Sequence, residues 1–146
     1  MQMFMEPDKK KHIIFLCSYN SVRSQLAEGL MRDLYGDRYE VHSAGVARGG
    51  INPCTIKVLQ ESGIDISGQR SKSVTEYKGM NFDYIVTLCD TSEGTLTRYL
   101  PVGGVHIHHN FPAITELGAD EDAILDNFRT LRDDIRTWLL IQFRDT

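Results

Sequence analysis

Cys17, Arg23 and Ser24 have the types and spacing of a thiol nucleophile that attacks a tetrahedral oxyanion. Five residues separate the cysteine from the arginine, and the serine follows directly. The intervening Ser18, Tyr19, Asn20, Ser21 and Val22 form a short polar loop. Such a loop, running into a helix N-terminus, turns its backbone N–H groups inward as an anion nest. Arg23 brings a planar fork that matches two oxygens of the anion. Cys17 lies in the same positive field, which favours its thiolate and makes it an activated nucleophile. Ser24 is placed to donate a hydrogen bond to the sulfur. Asn20 is placed to hold the loop's shape through side-chain bonds to the backbone.

The loop needs a strand behind it and a helix ahead of it, and the pattern supplies both. The apolar run ending at Leu16 reads as a strand from His12. A helix follows from Arg23 to Tyr35, with Leu26, Leu30 and Leu34 on one face and Gly36 at its end. The rest alternates. A strand is expected at Tyr39 to Ala44, and a helix from Pro53 to Ser62 with Gly63 just beyond. A polar connector covers 64–74. A continuous apolar strand is expected at Tyr84 to Leu88, and a short helix at Ser92 to Tyr99, ended by Pro101. A strand follows at Val105 to His108, and a long helix at Glu121 to Phe143. Its apolar stripe is Ile124, Phe128, Leu131, Ile135, Trp138 and Leu139. Alternating strands and helices give an α/β fold, an open four-stranded parallel sheet with helices on both faces. Ligands of such sheets bind beyond the carboxyl ends of the strands, at the switch point. The Cys17 loop belongs there. Cys89 ends its own strand and shares that edge.

Composition narrows the rest. A chain of 146 residues, 41% hydrophobic and 25% charged, is ordinary for one globular domain. Residues 1–11 read as a flexible leader and 12–146 as a single catalytic domain. The net charge of −4 argues against a nucleic-acid partner. Three cysteines do not make a secreted disulfide framework, so a cytoplasmic home is expected. No apolar run reaches membrane-spanning length.

The segment LCSYNSVRSQLAEGL resembles the active-site stretch of the low-molecular-weight protein tyrosine phosphatase superfamily. The chain looks most like that superfamily's thiol-dependent arsenate reductases. SAG at 43–45, NP at 52–53, GIDISGQRSKS at 63–73 and NFRTLRDDI at 127–135 match the same branch. Gln25 stands where the phosphatases usually carry proline. The resemblance implies reduction of arsenate to arsenite through a covalent Cys17 intermediate, with Arg23, Ser24 and Cys89 completing the catalytic set. It implies no tightly bound cofactor but an outside thiol reductant such as thioredoxin, glutaredoxin or glutathione. It also implies a potassium ion near Asn20, Glu28, Ser43 and Asp65. A phosphatase working through phosphocysteine is the alternative, and a non-catalytic oxyanion binder is the reading from another class.

Two departures stand out against that family. Its relay cysteine seven residues after Cys89 is here Leu96. Its general-acid aspartate before a proline is here Phe111, before Pro112, which cannot give a proton to a leaving group. His108, His109, Glu116 and Asp120 are the nearby substitutes. His106 and His108 share one side of their strand and His109 takes the other, an arrangement that suits solvated histidines better than a metal site. Cys54 reads as a small packing or surface residue. Arg70 and Lys72 fit either the pocket mouth or plain surface. The acidic run GADEDAILDNF, 118–128, suits a helix start.

Overall fold

The computed structural model describes residues 9–89, 101, 103–116 and 120–146. The expected helix at 92–99, Leu96 and most of the leader lie outside the described residues.

Four strands form one parallel sheet: β1 (Lys11–Cys17), β2 (Tyr39–Gly45), β3 (Tyr84–Thr87) and β4 (Val105–His108). Their order is β2-β1-β3-β4. β1 is central because Ile13, Ile14, Phe15 and Leu16 are apolar on both faces and fully buried. It begins one residue earlier than the sequence pattern suggested. Lys10, just ahead of it, donates to the Gly36 carbonyl at 2.9 Å.

Three helices connect and cover the strands: α1 (Arg23–Tyr35), α2 (Pro53–Glu61) and α3 (Glu121–Phe143). Local chemistry starts each one differently. The Asn52 side chain accepts from Cys54 N at 2.8 Å, with Pro53 in the first turn of α2. Asp120 accepts from Ala123 N at 2.8 Å and opens α3. At α1 the preceding Val22 offers no side-chain cap.

The two faces of the sheet are covered unequally. Ile13, Phe15, Val41, Val86 and Leu88 meet apolar residues of α1, α2 and α3 in one large core. The opposite face holds Ile14, Leu16, Cys17, Ala44, Ile85 and Cys89 in a smaller cluster. Among the described residues, Val74 in a 3₁₀ turn at Val74–Tyr77 and Phe82 pack on that side. The three α-helices of the described residues therefore share one face. The expected open four-stranded parallel sheet of an α/β fold is what the structure has; among the described residues the α-helices cover one face and the 3₁₀ turn the other. Periodicity shows that a helix has an apolar stripe but not which side of a sheet the stripe covers.

Candidate active site

The order of the strands reverses between β1 and β3, so the crevice beyond their carboxyl ends is the switch point. Cys17 closes β1 there and Cys89 follows β3. The sheet bond from Leu88 N to Leu16 O, 2.9 Å, fixes the two strand ends level with each other. Both cysteines are buried in the same small cluster. None of the three cysteines is in a disulfide.

Every carbonyl between Cys17 and Arg23 is tied outward. Ser18 O accepts from Ala47 N (3.1 Å), Tyr19 O from Gly49 N (2.9 Å) and Val22 O from Leu26 N (2.8 Å). Asn20 O accepts from Gln25 Nε2 (3.2 Å). Ser21 O accepts from Asn52 N and Thr55 Oγ1, each at 3.2 Å. Among the described residues no peptide is cis. In a planar trans peptide the N–H points opposite to the C=O. The amides of residues 19–23 therefore face the other way, into a cavity of about 590 Å³ lined by Cys17, Ser18, Tyr19, Ser21, Val22 and Arg23. The missing cap on α1 fits this arrangement, because a bound anion takes the place of a cap.

Asn20 is the hub of the loop. It is fully buried and is the one non-glycine residue with positive φ, 53°, among the described residues. Its Nδ2 donates to Ser24 Oγ (2.8 Å) and Ser43 Oγ (2.9 Å). Its Oδ1 accepts from Lys72 N (2.7 Å) and Gln25 Nε2 (2.8 Å). Ser24 Oγ accepts from Asn20 and lies 2.9 Å from Cys17 Sγ, and when that sulfur is a thiolate the Ser24 hydroxyl is the donor between them. Ser43 likewise accepts from Asn20 and donates to Glu28 Oε1. The loop packs so closely on β2 that a Cβ on Gly45 would lie 2.6 Å from Asn20 N.

Of the four residues expected around a potassium ion, the structure gathers Asn20, Glu28 and Ser43 and leaves out Asp65. Asp65 is exposed and accepts from its own loop, Ser67 N at 2.9 Å, which lowers its carboxyl below the usual range. Lys72 stands with the other three. It is buried, not on the surface, and its Nζ lies 3.3 Å from Glu28 Oε1 and 2.8 Å from Arg70 O. Burial lowers its pKa, and the neighbouring Glu28 opposes that shift. Arg32 Nη2 holds Glu28 Oε2 at 2.6 Å. With Asn20, Ser43 and Glu28 so engaged, the oxygens a potassium ion would need as ligands are already spoken for. The residues present do not fit that ion.

The general-acid substitutes separate clearly. Asp120 caps α3. His106 and His108 both turn to Thr87 Oγ1, at 3.3 and 2.7 Å. His109 packs at a tilt against Phe111 and Trp138. Glu116 is the one linked to the loop, through Asn52 Nδ2 at 3.3 Å and thence Ser21 O. Phe111 is a core residue, 5% exposed. Its carbonyl accepts from Arg23 Nη1 at 3.1 Å. Among the described residues no group of three or more His, Cys, Asp or Glu forms a metal site. The thiol of Cys54 is pushed up by burial and by Glu116.

Sequence reasoning missed Gln25 as more than a missing proline. Its Nε2 also reaches Arg70 O (3.0 Å), and its Oε1 accepts from Gln69 Nε2 (2.7 Å). Arg70 is exposed and paired with Glu76 at 2.6 Å. A buried glutamine in the first turn after the loop is a readable signal only when the loop itself is already suspected.

The family model for low molecular weight phosphotyrosine protein phosphatases matches residues 12–116. The arsenate reductase of Halalkalibacterium halodurans is 40% identical over 128 residues, 86% of this chain and 90% of its own. A solved arsenate reductase in the phosphate binding state aligns with a TM-score of 0.66 at 27% identity, over 88% of this chain and 93% of its own. Another, in the oxidized state, gives 0.71 at 27% identity, over 89% and 94%.

Proposed function

The chain belongs to the low molecular weight phosphotyrosine protein phosphatase family, and from that premise we propose that it is an arsenate reductase whose nucleophile is Cys17. The observation that carries this is the loop whose carbonyls are all tied outward, with a thiol at its base and Arg23 at its rim. Arsenate is gripped by the amides of residues 19–23 and by the Arg23 fork. The Cys17 thiolate attacks arsenic, and an arsenate oxygen leaves as water after taking a proton. A second thiol then attacks Cys17 Sγ. The electron pair of the S–As bond passes to arsenic, arsenite departs, and a disulfide remains. Ser24 steadies the sulfur whenever it carries charge.

Cys89 is the second thiol in one route, and an outside thiol takes that role in the other. In both, an outside thiol reductant of the thioredoxin, glutaredoxin or glutathione kind restores the enzyme. Residues 12–146 act as one catalytic domain in a cytoplasmic setting, where thiols stay reduced. No described helix is long and apolar enough to cross a membrane.

Phosphate-ester hydrolysis through phosphocysteine fits the family and uses the same loop. It is the weaker reading here because Phe111 occupies the acid's expected position, and an ester leaving group needs a proton more than an inorganic oxyanion does. Turnover of arsenate with thioredoxin or glutathione, measured beside an aryl phosphate, tests the proposal. Arsenite release is expected. Fast aryl phosphate cleavage without arsenite makes the protein a phosphatase, and neither activity makes it an oxyanion binder.

A further inference from the structure

We propose that the Lys72 ammonium is the built-in cation of this site, doing with a covalently held charge what its relatives are expected to do with potassium, and that Lys72 is a positioning residue for Cys17. The reasoning starts from Glu28. Its carboxylate is 4% exposed on α1, within the same bonded network as the nucleophile. A buried carboxylate needs a counter-charge. Arg32 meets Oε2 from the solvent side. Lys72 meets Oε1, the oxygen that also receives the Ser43 proton.

From that oxygen a directed chain leads to the sulfur. Ser43 donates to Glu28, Asn20 donates to Ser43 and to Ser24, and Ser24 donates to Cys17 once the sulfur is a thiolate with no proton to give. Remove the ammonium, and Glu28 keeps a negative charge that opposes a thiolate nearby, or takes up a proton and ceases to hold Ser43 in one direction. Either change disturbs the proton order along the chain. The groups facing Lys72 are Glu28 and Arg32 of α1 and Arg70 of its own segment; the Tyr77 phenol, pushed up to about 12 by burial, is also close enough to Glu28 to feel its charge.

The main chain at 72 is held independently of its side chain. Lys72 N donates to Asn20 Oδ1, and Lys72 O accepts from Gly45 N at 2.9 Å. Loss of the side chain therefore removes a charge without unpinning the loop.

The experiment has an arm that needs no variant and no activity. Melting of the wild-type protein is compared in potassium, sodium and choline chloride at equal ionic strength. Equal midpoints are expected, and a potassium-specific rise overturns the proposal. In the second arm, Lys72→Ala is assayed for the pH dependence of Cys17 alkylation by iodoacetamide and for arsenate kcat/KM. The alkylation midpoint is expected to move to higher pH and kcat/KM to fall at least about tenfold. Potassium or ethylammonium, entering the space left behind, should restore part of both, while choline should not. A variant that melts lower but keeps the wild-type alkylation profile and shows no rescue makes Lys72 merely structural and ends the proposal. If Lys72→Ala does not fold, the wild-type salt comparison still decides. The kinetic arm rests on the arsenate reading; the melting and alkylation arms do not.

Discussion

Arg23 Nη1 donates to the carbonyl oxygen of Phe111 at 3.1 Å, joining the anion loop to a segment 88 residues further along the chain. One N–H of the guanidinium thus anchors the far wall of the cavity, which Ala113 and Ile114 continue. A lysine cannot serve both ends, because it lacks the rigid fork. Arg23→Lys is expected to lower arsenate kcat/KM by about 10²–10³-fold, the scale of losing one preorganised oxyanion donor. Hydrogen exchange near residue 111 should quicken in the same variant. Unchanged exchange would mean the contact does not hold that wall.

Gly45 pairs with Cys17 in the β1–β2 register and lies under the loop. A methyl there meets backbone atoms, Asn20 N at 2.6 Å and Ala47 O at 2.8 Å, which cannot swing aside as a side-chain tip can. Gly45→Ala should cost about 1–3 kcal/mol in urea unfolding, as overpacking does. It should also reduce turnover more than tenfold by displacing the amide of Asn20. Full activity with unaltered stability would show that the close approach is not needed.

Cys89→Ser separates the two reduction routes. If Cys89 attacks Cys17, the variant releases no arsenite with any reductant, small thiols included. If an outside thiol attacks Cys17, turnover with glutathione survives within about twofold. Mass spectrometry of the wild-type protein quenched during turnover distinguishes a Cys17–Cys89 disulfide from a mixed disulfide on Cys17.

His42 gives a pH prediction with a definite sign. Burial, and then the neighbouring His12, hold its pKa below the ordinary 6.5. Its ring packs against His12, Tyr77 and Phe82. The folded state therefore binds its proton less readily than the unfolded chain. Stability from this site is full above 6.5 and declines as pH falls below 6.5 through the folded value. His42→Phe keeps an aromatic ring and removes the titration. Its melting temperature should fall less than the wild type's between about pH 7 and about pH 5. Parallel curves would place the acid sensitivity elsewhere.

Local chemistry made α1, β4 and α3 readable to their end residues. Leucines four apart mark α1, and an acidic start with a regular apolar stripe marks α3. Cys17, Arg23 and Ser24 were readable because their types and spacing carry the chemistry by themselves, and the Cys17–Ser24 contact is made across a single short loop. Lys72 was not. Its partner Glu28 is 44 residues away, and a lysine in a polar stretch is ordinarily solvated. Asp65 misled for the converse reason. Its position matches a pattern, but Ser67 N captures its carboxylate and keeps it on the outside. Phe111 looked like a lost acid and is also a packing residue, placed by the edge-on ring of Trp138.

The lopsided clothing of the sheet has a consequence for the two sulfurs. Among the described residues, the α-helices and the inner faces of the strands make a stiff keel, and Cys17 and Cys89 lie in the smaller cluster on the other face. A chemical change at either sulfur therefore falls outside the large core, and its first neighbours are Ile14, Leu16, Ala44, Val74, Phe82 and Ile85 rather than the residues under the helices.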